Sequence, residues 1–465
     1  TCDFGQFDHP QFVSAAEQLV LRKGGGAIAI LTTTQAVYAS YNRKINTQYL
    51  SDQFVNSVSQ SRRTLGDAYR NGKNATFNVS SDYGEIINFR KFSLLGDPAL
   101  YPDFPRYKVA IEDVTDSHTQ LPADTIKALG AYNITGKVID DNGNTLTGFN
   151  GLVSISFYDK MRTISTITGC SDTYQVQNNI IYKGRVSVTN GHFSFSFITP
   201  KDINYYFGLG KISTYAQSDD GVTDAAGADT SVKVGGFSDH PVVSNEPPVV
   251  KAYINDTLFL NGGITGSNTS LYATFYAKTG INVSGNEVGH DLTAVLDDNQ
   301  ETPYILNDYY ETAPNNYQRG FVSFPVAGLA DGKHTIKVKA WDVNNNSGEG
   351  SVDFVVVDGK VVGIGQLANY PNPFTNTTNF IFEHNHPSEE LTVKLFIYNT
   401  AGGLVKNLEQ VFTPVGSRTS ELQWDGTDNN GSRLPSGVYV YRLNISTKEG
   451  FNSSAYQTRY IIKVC

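Results

Sequence analysis

The stretch that decides the fold class is AIAIL, residues 27–31, read together with the segment before it. This is an uninterrupted apolar run of strand length that ends in the threonines 32–34. Such a run is typical of a parallel strand that is covered on both faces. Apolar residues at helical spacing between positions 12 and 20 predict an amphipathic helix, which the glycines 24–26 end. The chain is therefore predicted to begin with an α/β unit.

The candidate catalytic residue is Cys2, in the segment TCDFGQFDHP, residues 1–10, that precedes this helix. A cysteine just before a helix of an α/β unit lies at the carboxyl edge of the sheet, where loops carry the chemistry. The amino-terminal end of the helix favours the thiolate there. We interpret Cys2 as a cysteine-peptidase nucleophile, and the alternative is a buried structural thiol.

Residues 1–10, the helix and strand after them, and FSLLGDPAL at 92–100 resemble the nucleophile region of gingipain-type (family C25) cysteine peptidases. Within this family they are most similar to the sortases of the type IX secretion system of Bacteroidetes. A Leu-Gly-Asp-Pro turn closes the peptidase domain in that family. The resemblance covers roughly residues 1–105. It implies the C-terminal part of a caspase/gingipain-like α/β domain and a Cys–His dyad in which Cys2 attacks a peptide carbonyl.

The catalytic base is not evident in this sequence. In the family, the histidine lies before the cysteine in a His-Gly motif, and the sequence contains no His-Gly pair. A thiol with a pKa near 8.5 is only a few per cent thiolate at neutral pH, so it needs a base or a positive neighbour. We expect an upstream segment of the same enzyme to carry the histidine, and this chain alone to be inactive. His9 is the local alternative, although a loop histidine is the favoured interpretation.

Composition indicates a β-rich extracellular protein of three or four domains. The chain has 465 residues, of which 39% are hydrophobic and 17% charged, with a single Met. Its net charge of −9 argues against a nucleic-acid partner, because phosphate binding needs clustered Lys and Arg. Cys2, Cys170 and Cys465 are an odd number in distant segments, so they imply no disulfide framework.

The first domain is predicted to span residues 1–106. A loop at 35–43 follows the predicted strand, and its Tyr38 and Tyr41 either flank a bound peptide or simply pack. A second helix is predicted from Ser51 to Gly72, with the Arg62-Arg63 pair on its solvated face.

Three immunoglobulin-like β-sandwiches are predicted to follow, at residues 107–240, 249–358 and 366–465. Their strands alternate between apolar and polar residues, as in HFSFSFI at 192–198, which gives one buried and one solvated face. The loop at 342–348 departs from the EF-hand pattern and is predicted to be a turn. A structural calcium ion is the alternative there, and no other cofactor is expected.

The last domain carries a second resemblance. WDG at 424–426 and PSGVY at 435–439 are similar to stretches of the C-terminal sorting domains of type IX secretion cargo and of the hook-capping Ig-like domain. The resemblance implies secretion across the outer membrane and a place at the cell surface. The domain would be held there by an outer-membrane β-barrel shuttle protein of the type IX system.

Three functions follow from these patterns. The first is a surface sortase that removes C-terminal sorting domains from secreted cargo and passes the cargo to a surface glycolipid through a thioacyl-enzyme. The second is a secreted gingipain-like endopeptidase. The third is a non-enzymatic multidomain adhesin, in which Cys2 would be incidental. The α/β start of the chain favours the peptidases, because an adhesin has no need of it.

Overall fold

A computed structural model of the chain describes residues 3–22, 25–56, 63–77, 82–102, 104–167, 172–285, 289–357, 362–447 and 455–464. It divides into two compact units, Thr1–Phe104 and Pro105–Cys465. Cys2, Cys170 and Cys465 lie outside the described residues. Within the described part of the chain, no helix has the length and apolar character needed to span a membrane.

The first unit consists of helices and a two-stranded sheet. Its elements in chain order are α1 (Ala15–Leu21), β1 (Ala29–Thr33), α2 (Ala39–Leu50), a π-helix (Ser51–Asn56), α3 (Leu65–Thr76), α4 (Tyr83–Arg90) and β2 (Phe92–Gly96). β1 pairs with β2 in antiparallel fashion, with Ala29 opposite Gly96 and Thr33 opposite Phe92. The parallel pairing predicted for this strand is therefore wrong. An apolar run indicates that a strand is covered, but it does not indicate whether the neighbouring strand is parallel or antiparallel.

The helices of this unit differ from the prediction in three places. The predicted loop at 35–43 becomes helical at Ala39. The predicted helix from Ser51 to Gly72 is two elements, because α3 starts anew after Thr64, whose side chain accepts a hydrogen bond from the Asp67 N–H. Gly72 does not end α3. A Cβ at Gly72 would lie 3.0 Å from the Tyr49 Cα, so this glycine allows α3 to pack closely on α2.

The core of the first unit is small. Ile45, Phe89 and Phe92 form its buried cluster, and Leu31, Val37 and Tyr69 pack against it. The predicted apolar face of α1 is only partly covered. Ala16 is fully buried, but Phe12 and Val13 just before the helix are 52% and 54% exposed. The sequence period located this apolar face but did not indicate what covers it.

The second unit begins with the first sandwich, whose strands are β3 (Tyr107–Asp116), β4 (Thr125–Ala128), β5 (Ala131–Ile139), β6 (Gly151–Tyr158), β7 (Arg162–Ser165), β8 (Thr173–Val176), β9 (Ile180–Val188), β10 (His192–Ile198), β11 (Gly208–Leu209), β12 (Lys211–Ser218), β13 (Asp224–Asp229) and β14 (Lys233–Phe237). A seven-stranded sheet has the order β10-β5-β3-β13-β12-β6-β9, and a three-stranded sheet has the order β11-β14-β4. One hydrophobic cluster lies within this group of strands. β7 and β8 form a separate hairpin.

The second sandwich contains β15 (Val249–Ile254), β16 (Gly263–Thr265), β17 (Thr269–Tyr276), β18 (Thr293–Leu296), β19 (Tyr304–Ile305), a 3-10 helix (Asn307–Tyr309), β20 (Tyr310–Ala313), β21 (Asn316–Val326), β22 (Gly332–Trp341) and β23 (Ser347–Val356). The sheets have the orders β15-β17-β21-β20 and β16-β23-β22-β18-β19.

The third sandwich contains β24 (Ile364–Tyr370), β25 (Thr378–His384), β26 (Leu391–Tyr398), β27 (Leu404–Phe412), β28 (Arg418–Trp424), β29 (Gly437–Thr447) and β30 (Ala455–Lys463). Its sheets have the orders β24-β25-β28 and β27-β26-β29-β30. The protein thus has the predicted fold class, an α/β start followed by all-β sandwiches. The exact limits of the domains stay predictions.

Hydrogen bonds join neighbouring sandwiches within the second unit. β9, at the edge of the seven-stranded sheet, meets the end of β20. The Arg185 N–H donates to the Thr312 Oγ1 at 3.1 Å, and the Asn315 N–H donates to the Arg185 carbonyl at 2.9 Å. The second and third sandwiches are joined by Asn255, whose side-chain amide donates to the Ser417 Oγ at 2.8 Å.

Candidate active site

The segment that follows Cys2 lies at the carboxyl end of β1. The Gly5 N–H donates to the Thr33 carbonyl at 3.1 Å, and the Ala16 N–H donates to the Phe4 carbonyl at 3.1 Å. A Cβ at Gly5 would lie 2.0 Å from the Thr32 Cγ2, so only glycine lets the segment approach the strand this closely. This is the edge at which the sequence predicted the nucleophile. Cys2 itself lies outside the described residues, so its catalytic role stays a prediction.

Helix α1 begins later than the sequence indicated. It starts at Ala15 and is preceded by Ser14, whose side chain accepts a hydrogen bond from the Glu17 N–H at 3.3 Å. In return, the Ser14 N–H donates to the Glu17 Oε2 at 2.8 Å, which completes a capping box. Turns and irregular backbone occupy residues 3–13. The amino-terminal end of α1 is therefore separated along the chain from Cys2.

His9 has the contacts of a loop histidine. Its ring stacks on Phe12 with 3.9 Å between ring centroids, and its Nδ1 accepts a hydrogen bond from the Gln11 N–H at 3.2 Å. In the neutral ring the proton then lies on Nε2, so neither nitrogen has a free lone pair for a thiol proton. His9 is the only histidine in the sequence of residues 1–104. The geometry favours the loop interpretation over the role of catalytic base.

Tyr38 and Tyr41 lie at the start of α2, beyond the carboxyl end of β1. Their rings are 6.1 Å apart in an edge-to-face arrangement, and Tyr38 is largely exposed. The Tyr41 hydroxyl hydrogen-bonds the Asp82 carboxylate, which raises the pKa of Tyr41 and lowers the pKa of Asp82. The Tyr41 hydroxyl therefore already has a strong acceptor, and the exposed Tyr38 ring is the better placed of the two to contact a peptide.

Asn88 supports this loop, and sequence reasoning missed it. Its Oδ1 accepts a hydrogen bond from the Tyr38 N–H at 2.7 Å. The Asn88 side chain is almost fully buried, and its Nδ2 has no hydrogen-bond partner among the described residues. The Lys91 Nζ donates to the Ala36 carbonyl at 2.7 Å and fixes the same loop from a second side. The sequence signal for this supporting role was an asparagine within the otherwise apolar string IINF, residues 86–89.

The Leu-Gly-Asp-Pro turn has a structural role. Gly96 has φ +123, and a Cβ there would lie 2.7 Å from the Ala29 Cβ. The Asp97 Oδ1 accepts the Ala99 N–H at 2.8 Å, and the Pro98 carbonyl accepts the Gly66 N–H at 2.9 Å. The turn therefore supplies an acceptor to the otherwise unpaired first N–H groups of α3.

Two other predicted features lie away from Cys2 in the sequence. Arg63 precedes α3 with its Nε 3.9 Å from the Asp52 Oδ2, and Arg62 lies outside the described residues. In the 342–348 loop, the Asp342 Oδ1 accepts the N–H groups of Asn344 and Asn346 at 2.9 Å and 2.8 Å. This is the geometry of a side-chain-stabilised turn. Among the described residues, no three His, Cys, Asp or Glu side chains are grouped so that they could hold a metal ion.

Two family models match the chain. The model described as Peptidase family C25 matches residues 1–102, and the model described as FlgD Ig-like domain matches residues 369–449. No curated protein matches the chain.

Solved structures are similar over parts of their length. Dimeric latent PorU from Porphyromonas gingivalis is 28% identical over 95% of this chain and 41% of its own, with a TM-score of 0.36. The complex of Porphyromonas gingivalis RgpB pro- and mature domains is 17% identical over 49% of this chain and 44% of its own, with a TM-score of 0.20. A Ca2+-stabilised, ice-binding adhesin of an Antarctic bacterium is 13% identical over 77% of this chain and 74% of its own, with a TM-score of 0.16. These TM-scores are low, so the assignment of the first 102 residues depends on the family model.

Proposed function

Because residues 1–102 are a region of a C25-type cysteine peptidase, we propose that Cys2 is the nucleophile of a peptidase that acts on secreted proteins at the cell surface. The family match carries this proposal, since it spans Cys2, the segment at the end of β1 and the Leu-Gly-Asp-Pro turn.

The proposed reaction is acyl transfer through a thioester. The Cys2 thiolate attacks the scissile carbonyl carbon, and backbone N–H groups stabilise the oxyanion, an interaction usually worth a few kcal/mol. The C–N bond then breaks, and the leaving amine takes the proton that the base removed from the thiol. Water, or an amine of a surface glycolipid, attacks the thioester and returns the thiolate. Water yields hydrolysis, and the amine yields cargo attached to the surface.

The proposed substrates are secreted proteins with C-terminal sorting domains of the type IX system, and the proposed reaction removes those domains. The third sandwich supports this assignment, because residues 369–449 match an Ig-like domain model and the sequence is similar to the sorting domains themselves. It would stay attached and hold the enzyme at the outer membrane through the β-barrel shuttle protein.

The proposed base comes from another segment of the same enzyme. An open depression of about 800 Å³ beside α1 is lined largely by apolar side chains, among them Phe4, Val13, Leu19 and Leu21. An apolar surface of this kind normally has a covering partner. We place the segment that carries the catalytic histidine on this surface.

The first test uses the full-length enzyme in cells. We expect Cys2→Ala to leave secreted cargo with its sorting domain still attached, because no thioester can form, and intact mass measurement of the cargo detects the retained domain. Cys170→Ala is the matched control and should process cargo normally. Normal processing by the Cys2→Ala enzyme would make Cys2 structural and would favour the adhesin.

A second assay separates the remaining alternatives. We expect the isolated 465-residue chain to cleave no peptide, because its sequence contains no His-Gly pair to supply the base; Cys2-dependent cleavage by this chain would contradict that argument. A purified full-length enzyme that degrades unrelated proteins as fast as sorting-domain cargo would be a digestive endopeptidase rather than a sortase.

A further inference from the structure

The first sandwich exposes an unusual run of aromatic side chains. Tyr205, Tyr206 and Phe207 are consecutive in the loop between β10 and β11, and Tyr206 and Phe207 are 83% and 68% exposed. The Tyr205 ring meets the exposed Phe237 ring of β14 edge to face, with 6.4 Å between centroids. We call residues 201–209 together with Phe237 the aromatic loop. Neighbouring exposed aromatic side chains of this kind indicate an interaction site.

One end of the aromatic loop is fixed by a buried carboxylate. Asp202 is 4% exposed, and its Oδ2 lies 2.7 Å from the His290 Nδ1 and 2.9 Å from the Asn282 Nδ2. Its Oδ1 accepts from the Asn345 Nδ2 at 2.6 Å. All three partners belong to the second sandwich, so the loop is tied to both sandwiches.

The middle of the loop is fixed by a buried ion pair. The Lys160 Nζ lies 2.6 Å from the Asp159 Oδ1 and donates to the Asn204 carbonyl at 2.7 Å. The Asn204 N–H donates to the Asp159 Oδ2 at 3.2 Å. The Gly236 N–H donates to the Tyr205 carbonyl at 2.9 Å. The three rings therefore project from a loop that is ordered before any partner arrives, which lowers the entropy cost of binding.

Two exposed lysines flank the loop, Lys201 within it and Lys233 on β14. Neither has a carboxylate partner among the described residues. Lys233 is directly opposite Leu209 in the β11–β14 pair, so the two side chains emerge on one face. The nearby Asp239 is paired with Lys127 at 2.8 Å, which reduces its negative field.

We propose that the aromatic loop docks the protein onto a negatively charged lipid surface. Tyrosine and phenylalanine rings concentrate at the membrane–water interface, and flanking lysines are attracted to anionic headgroups. The Tyr206 and Phe207 rings are 83% and 68% exposed, so they project into solvent rather than line a groove. Projecting rings suit insertion between headgroups, whereas peptide recognition uses grooves with pockets. The observations therefore favour lipid over an acidic peptide.

Vesicle co-sedimentation of the whole chain tests this proposal. We expect binding to vesicles of phosphatidylcholine and phosphatidylglycerol in equal amounts, and little binding to phosphatidylcholine alone. The double variant Tyr206→Ser/Phe207→Ser should lose most of the binding. Lys201→Glu/Lys233→Glu should weaken it by roughly fivefold or more per lysine, since each change removes one attraction and adds a repulsion. In a Phe207→Trp variant, brominated lipid should quench the fluorescence of the introduced indole.

Matched controls come from other sandwiches. Tyr370→Ser removes a 73% exposed ring from β24, and Lys251→Glu reverses an exposed charge on β15; neither should change vesicle binding. All these side chains are exposed, so the melting temperatures should stay the same. No binding to the anionic vesicles, equal losses in the controls, or no quenching of the Phe207→Trp variant by brominated lipid would overturn the proposal. If the Tyr206→Ser/Phe207→Ser variant kept its vesicle binding but lost binding to an acidic protein, the loop would be assigned to a protein partner. This result would also overturn the proposal.

Discussion

The first unit and the third sandwich are similar in length but bury their apolar residues very differently. The first unit has a cluster of three buried hydrophobic residues, whereas the third sandwich has sixteen around Trp424. A sandwich covers its own apolar face with its second sheet. The helices of the first unit leave apolar residues such as Phe12, Val13 and Leu21 largely exposed. The difference shows that the sandwich buries its apolar residues within its own two sheets, whereas the first unit leaves part of its apolar surface exposed.

The largest effect is expected in the core of the third sandwich. Trp424 is 1% exposed and contacts the rings of Phe374 and Tyr439 at 5.4 Å and 5.6 Å between centroids. Trp424→Ala should lower the free energy of unfolding of this sandwich by about 3–5 kcal/mol, because it creates a cavity. Hydrogen–deuterium exchange of β25 and β26 measures the loss. The matched change in the first unit, Phe12→Ala, should cost less than about 0.5 kcal/mol in this chain. Equal costs would mean that the two regions are equally well packed.

Lowering the pH should have a smaller effect on stability. We expect it in the third sandwich and not in the first unit. Burial, and secondly the charge of His386, lowers the pKa of the fully buried His384 from 6.5 to about 4. The unfolded chain then binds a proton more readily than the folded one. The stability contributed by neutral His384 is complete above pH 6.5 and is lost as the pH falls towards 4, up to about 3 kcal/mol.

Denaturant unfolding of the third sandwich at neutral pH and near pH 4 measures this loss. His384→Gln should remove most of the pH dependence, although it also costs packing. His192→Gln is the control, because the His192 side chain is 57% exposed. A third sandwich that keeps its full stability near pH 4 would contradict the assigned cause.

The smallest effect is expected at the start of α1. Ser14→Ala removes the capping box with Glu17 and should cost about 1 kcal/mol. Because the first unit has little core to hold α1 in place, we expect the loss to appear as faster hydrogen exchange throughout this helix. Leu21→Ala, at the exposed end of the same helix, is the control and should have little effect. If hydrogen exchange in α1 stayed slow in both variants, contacts other than the capping box and the small buried face of the helix would have to stabilise it.

The sandwiches could be predicted from sequence because their physical rule is local. Alternation in residues 192–198 puts every second side chain into the core, and β10 is buried in that pattern. In the first unit the same reasoning failed at the strand direction and at the helix limits. Strand direction and helix limits depend on contacts between segments that are far apart in the sequence. β2 pairs with β1, and the Pro98 carbonyl accepts a hydrogen bond at the start of α3.

The candidate site was predictable only in outline. The position of the Cys2 segment at the end of β1 followed from the strand and from the family resemblance. The support of the Tyr38 loop by Asn88 did not follow, because nothing in a string of apolar residues says which backbone group a buried amide will meet. His9 could be weighed from sequence, but only the Gln11 N–H on its Nδ1 argues against it in physical terms.

The bonds between β9 and the end of β20 bear on how this protein could have been assembled in evolution. Sandwich domains are often exchanged between proteins as independent modules. Here the Ser187 N–H is satisfied by the Asn315 Oδ1 at 2.8 Å, and Arg185 is paired with Glu311 at 3.2 Å. Replacing the second sandwich would expose the edge of β9 as a template for another strand. The first two sandwiches should therefore be inherited and transplanted as a pair, and a chimera that divides them should aggregate.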